Sequence, residues 1–144
     1  MLDYKIKIGL VPDIRNLGDF ATRKGIFEPA KGVERKNIVL DYIKNNFRDE
    51  NTEYVDLEWL NDMGIFYDNA DCDKVCSYLK EEKVDAIFII NCNFGNEEAC
   101  GRLAKAMGVP VLLWGPQDTV FEADGMRYTD SQCGLFAISK QLRR

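Results

Sequence analysis

Val84-Asp85-Ala86-Ile87-Phe88-Ile89-Ile90 is followed by Asn91-Cys92-Asn93-Phe94-Gly95-Asn96-Glu97-Glu98, and this pairing of an apolar run with a polar break decides the fold. The run is too continuous for a half-exposed strand and too short for most helices, so it reads as a central parallel strand buried on both faces. From Ala99 to Met107 the apolar residues Leu103, Ala106 and Met107 share one helical face, and Gly108 closes the helix. Val109-Pro110-Val111-Leu112-Leu113 then reads as a second buried strand, broken by Trp114-Gly115-Pro116-Gln117-Asp118. Strand, helix, strand implies a right-handed parallel crossover. Both polar loops therefore leave the carboxyl ends of neighbouring strands, where open α/β sheets take their ligands.

Upstream, Tyr4 to Val11 is the first strand, and Pro12 is expected to stop its ladder. Pro12 to Glu28 is a long, mobile loop carrying Asp13, Arg15, Asn16, Asp19, Arg23 and Lys24, with Gly18 and Gly25. Pro29 begins a packing helix to about Phe47, with Val33, Ile38, Leu40, Tyr42, Ile43 and Phe47 as its apolar positions. Glu53 to Leu57 alternates as an edge strand. Trp59 to Tyr67 is apolar without a period and is expected to pack loosely or to meet a partner. Asn69 or Asp71 caps a helix through about Glu82, with Val75, Tyr78 and Leu79 inward. Thr119 to Asp130 is a further loop, and Ser131 opens a last helix through Leu135, Ile138 and Leu142. The sum is one α/β domain over residues 1–144 with a flavodoxin-like (Rossmann-like) three-layer αβα architecture. Its four-stranded parallel sheet has the order 2-1-3-4, with a switch point between the first and third strands.

Composition removes several function classes. The 144 residues carry 24 acidic and 19 basic side chains, a net charge of -5 that disfavours nonspecific binding to nucleic acid or anionic membrane. No run approaches membrane-spanning length and Met1-Leu2-Asp3-Tyr4 is not a signal peptide, so the cytoplasm is the expected compartment. Five cysteines, at 72, 76, 92, 100 and 133, lack the spacing of a disulfide framework or zinc ribbon and read as reduced thiols. Histidine is absent, which removes the commonest general base and the usual partner of a nucleophilic Ser or Cys. The first loop is not a phosphate cradle, the end of the first strand lacks the clustered acids of a phosphorelay receiver, and Cys92 has no arginine to hold a phosphate.

What remains is a crevice of amides, carboxylates and an aromatic ring: Arg15 or Arg23, then Asn91, Asn93 and Glu97, then Trp114 and Gln117. Such groups suit hydroxyl-rich ligands, since each OH both donates and accepts and a ring covers the apolar face of a sugar. The plain alternative is that they are loop caps and a core tryptophan.

Lys7-Ile8-Gly9-Leu10-Val11-Pro12, Asn91 to Glu97 through Phe94-Gly95, Trp114-Gly115-Pro116-Gln117-Asp118 and Ser131-Gln132-Cys133-Gly134-Leu135-Phe136 follow in an order and spacing that resembles the N-terminal part of the L-fucose isomerase family, aldose-ketose isomerases related to L-arabinose isomerase. The resemblance implies the N-terminal domain of a longer sugar isomerase, with Mn²⁺ held by Glu, Asp and His of further domains and an enediol proton shuttle there. No cofactor and no catalytic residue is expected in this chain. It implies a homo-oligomer in which this domain covers a neighbouring subunit's sugar site, using an arginine that Arg15 matches and a tryptophan replaced here around Cys92-Asn93. A non-catalytic sugar or small-molecule binding module, or an assembly domain using the Trp59 to Tyr67 surface, are the rival expectations.

Overall fold

The computed structural model describes residues 4–15, 25–118, 125 and 127–144. The expectations for Arg23, for most of the first loop and for much of Thr119 to Asp130 fall outside the described residues. Four strands, β1 (Ile6–Asp13), β2 (Thr52–Val55), β3 (Ala86–Asn91) and β4 (Val111–Trp114), form one sheet in the order β2-β1-β3-β4. Every pairing is parallel. Helices α1 (Pro29–Asn46), α2 (Cys72–Glu81), α3 (Glu97–Met107) and α4 (Ser131–Leu142) complete a flavodoxin-like three-layer α/β domain.

Strand alternation sorts the core into two layers. Val11, Ile87 and Ile89 pack with Val75, Leu79, Leu103 and Ile138 of α2, α3 and α4. Leu10 and Ile90 pack on the opposite face with Val39, Leu40 and Ile43 of α1. Among the described residues α1 is thus the sole helix on its face, and the sheet beside it is incompletely covered. The expectation of a fully buried last strand is therefore corrected: Leu112 of β4 is 59% exposed. Ile38, Tyr42 and Phe47, read as packing positions of α1, are likewise exposed. Tyr42 and Phe47 line an apolar cavity of about 400 Å³ whose walls also include Ile8, Phe88, Leu112 and Trp114. The buried polar surprise of α1 is Lys36, whose Nζ donates to Glu58 Oε1 and to the Met63 carbonyl, each at 2.8 Å.

Two further expectations are overturned. Pro12 does not stop β1, because the ladder continues through Pro12↔Ile90 and Asp13↔Asn91. Cys92 donates its backbone N–H to Asp13 O, so the odd positions of β1 point at β3, and the proton proline lacks would point to the side that β2 has already left. Pro12 O on that side accepts the Phe66 N–H at 2.9 Å. Nor does Trp59 to Tyr67 pack loosely, since Ile65 and Phe66 are fully buried and Phe66 bridges to Asp13. Its turn is closed from within by Asn61, whose Oδ1 accepts the Met63 and Ile65 N–H groups and whose Nδ2 donates to the Ile65 carbonyl, while Phe66 pairs with the end of β1, so no helical or strand period showed. Ahead of α2, the side chain that caps is Asp68, on Ala70 N, at the 3₁₀ turn Asn69–Asp71.

Candidate functional site

The loops after β1 and β3 meet at the switch point of the sheet, and one asparagine joins them. Asn93 Oδ1 accepts the Arg15 N–H at 2.8 Å and the Gly95 N–H at 3.1 Å, and also the Phe94 N–H. A single fully buried oxygen thus gathers three backbone donors that strand geometry leaves unpaired. Gly95, at φ +81°, completes the turn. Asn96 then caps α3 by accepting the Ala99 N–H at 3.2 Å, and its own Nδ2 reaches the Tyr67 carbonyl at 2.9 Å.

On this frame the Arg15 guanidinium donates to Glu97 Oε2 at 2.6 Å and lies 4.6 Å from the centre of the Phe94 ring. Phe94 in turn packs on Phe27 with ring centroids 5.0 Å apart. The two charged side chains retain 24% and 30% of their surface, so the pair is oriented by the protein yet reachable from solvent. Beneath it Asp13, the last residue of β1, is fully buried. Both its carboxylate oxygens accept the Asn96 N–H, at 2.9 and 3.1 Å. Burial raises its pKa to about 8, against the lowering effects of the Asn96 N–H, the Cys100 thiol and the Arg15 charge.

The structure brings Arg15, Asn91, Asn93 and Glu97 together at this point but sets Trp114 and Gln117 apart from the pair. Asn91 is inside β3 rather than in the loop; it is fully buried, and its Nδ2 donates to the Ser131 carbonyl at 2.8 Å. Asn91 and Asn93 have no exposed surface in this conformation. Trp114 belongs to the core layer under α1, stacked on Phe88 with centroids 6.0 Å apart. The Gln117 side chain is exposed, and its carbonyl accepts from Arg35 Nη2 at 3.2 Å.

Arg35 was not singled out from the sequence. Its Nη1 donates to Pro116 O at 3.1 Å, Asp118 Oδ1 at 2.8 Å and Ser131 Oγ at 2.7 Å, tying α1 to the end of β4 and the start of α4. Asp118 Oδ2 also accepts the Ser131 N–H at 2.9 Å. The signal available was an acid closing Trp114-Gly115-Pro116-Gln117-Asp118 ahead of a helix-opening Ser131, but nothing in α1 marked its partner.

Among the described residues no three Cys, Asp or Glu side chains gather as a metal cage, and histidine is absent, so these donors do not fit an Mn²⁺ centre. The thiols do not supply one either: Cys72, Cys76, Cys92 and Cys100 are buried and free, and burial pushes the Cys92 thiol up to about 12.

A parallel sheet of order β2-β1-β3-β4, with a charged and aromatic surface where two loops diverge at its switch point, places the chain among the open α/β domains. The family model for the fucose/sulfoquinovose isomerase N-terminal domain matches residues 18–144, and the chain belongs to that family. No curated protein and no solved structure matches the chain. Among the described residues no helix is long and apolar enough to cross a membrane.

Proposed function

We propose that this chain serves an aldose-ketose isomerase as the domain that closes the sugar site of a neighbouring subunit in a homo-oligomer, presenting Arg15, Glu97 and the rim of Phe94. The observation that carries this reading is the Arg15–Glu97 pair at 2.6 Å, half-buried, seated on an aromatic ring at the switch point. A guanidinium offers several fixed donors and a carboxylate offers acceptors, so together they match adjacent sugar hydroxyls, each of which does both. Asn91 and Asn93 act one layer below by holding the loop, and Gln117 is a peripheral contributor. The Mn²⁺ and the groups that move the proton belong, on this reading, to other domains of the enzyme. The test is kinetic: in an isomerase carrying this domain, Arg15→Ala is expected to raise KM by ~10-fold or more while the bound Mn²⁺ is retained, as fits a lost charged hydrogen bond. An unchanged KM would refute the role given to Arg15.

A further inference from the structure

We propose that Asp13 is held as a neutral acid whose proton is donated to Asn91 Oδ1, and that this hidden bond pins the turn presenting Arg15 and Glu97. The effect on that surface rests on the functional reading above; the bond itself does not.

Three observations meet here. Asp13 and Asn91 are direct partners in the β1–β3 ladder, so their side chains emerge side by side on one face of the sheet. Asn91 Oδ1 is buried with no hydrogen-bond partner, one of two such atoms among the described residues. The third is the space above them: a Cβ placed on Gly95 would lie 2.3 Å from Asp13 Oδ2 and 2.9 Å from Asn91 Oδ1, so both oxygens converge under the same turn. Two buried acceptors crowded together repel unless a proton lies between them. Rotating the Asn91 amide is no remedy, because its Nδ2 is committed to the Ser131 carbonyl at 2.8 Å and the exchange would set oxygen against oxygen. The remaining source of a proton is the carboxyl. Burial acts in the same direction, raising the Asp13 pKa to about 8.

The other ionisable groups facing Asp13 are Arg15, two residues beyond its own strand, Glu97 and Cys100 of α3, and Cys92 after β3. Arg15 favours the carboxylate and Glu97 opposes it, and burial, the largest influence, outweighs the lowering by the Asn96 N–H, the Cys100 thiol and Arg15. When Asp13 loses the proton, Asn91 Oδ1 faces a charge. The Asn96 N–H that rides on the same carboxyl, and with it Glu97, shifts accordingly.

The test uses the chain with ¹³C and ¹⁵N labels. Asp13 Cγ is expected at the protonated position at pH 7, titrating near pH 8, with the Asn91 side-chain amide and the Asn96 and Arg15 backbone amides moving at the same midpoint. A carboxylate shift already at pH 6 would overturn the proposal, and a still Arg15 amide would overturn the link to the surface. In Asp13→Asn the amide donates to Asn91 and accepts from Asn96. That variant is expected to fold and to lose the pH dependence of Tm between about pH 4 and 8, whereas a lowered Tm with an unchanged slope contradicts the proposal. No readout involves a sugar. A chain that shows this titration yet belongs to an isomerase indifferent to Arg15 would sink the functional reading alone.

Discussion

Asn93 accepts the backbone N–H of Arg15 at 2.8 Å, and through that bond a buried side chain after β3 fixes a charged one after β1. Removing the acceptor orphans three backbone donors around a fully buried atom. Asn93→Ala is therefore expected to cost ~2 to 4 kcal/mol in urea unfolding, more than a typical point change. A loss below about 0.5 kcal/mol would show that water replaces the side chain.

Gly95 and Gly134 close the same turn from two sides. A Cβ on Gly95 would meet Asp13 Oδ2 at 2.3 Å with φ at +81°, and one on Gly134 would lie 1.7 Å from the Phe94 carbonyl oxygen. Alanine at either position is expected to cost ~2 kcal/mol or more of unfolding free energy in urea, because backbone and a buried carboxyl must move. Alanine at Gly108, where nothing lies within 4 Å, has only its own φ of +65° to accommodate and serves as the milder control.

Stability should fall as pH rises from the ordinary carboxyl range towards 8. Asp13 binds its proton more tightly in the folded chain, where its pKa is about 8, than in the unfolded one at 3.8. Between those values the folded state holds the extra proton, so this group contributes fully below about pH 4. It loses at most ~1.4 kcal/mol per pH unit above that, and nothing further beyond about pH 8. Urea midpoints at a series of pH values read this slope directly, and a flat profile in wild type would contradict it.

How much of this was legible in the sequence differs between backbone and side chains. The run Val84 to Ile90, its polar break and Gly108 placed the central crossover within two residues, since burial on both faces leaves a strong apolar signature. The parallel pairing followed from the strand–helix–strand crossovers, and the order 2-1-3-4 from the doubly wound pattern they build. Long-range polar pairing was not legible: Arg35 with Asp118, Lys36 with Glu58 and Asn93 with Arg15 join residues whose spacing carries no period. The fate of Trp114 was open for the same reason. An aromatic residue at a strand end can face a crevice or a core, and only the packing of α1 decides.

Trp114→Ala should accordingly act on stability. Its ring stacks on Phe88 in the layer under α1 while remaining partly exposed, so a loss of ~1 to 3 kcal/mol is expected in denaturant unfolding. Unchanged stability with weakened sugar binding would reverse this assignment.

Thiol chemistry offers an independent check on the packing. Cys133 is exposed and the other four cysteines are buried, with the Cys92 and Cys100 thiols driven upward by burial. A disulfide-exchange reagent should modify one thiol rapidly in the native chain and the rest only on unfolding. Fast labelling of several would show the core to be open.

The central claim, that Arg15 completes the sugar site of another subunit, is met most directly by mixing two disabled forms of the isomerase that carries this domain. One form bears Arg15→Ala with its metal-holding domain intact; the other keeps Arg15 and has that domain disabled. Each alone should be impaired. Co-assembled, they are expected to recover sites in which an intact Arg15 faces an intact metal centre, with KM close to that of wild type. Mixed oligomers that isomerise no better than the average of the two separate forms would contradict the account.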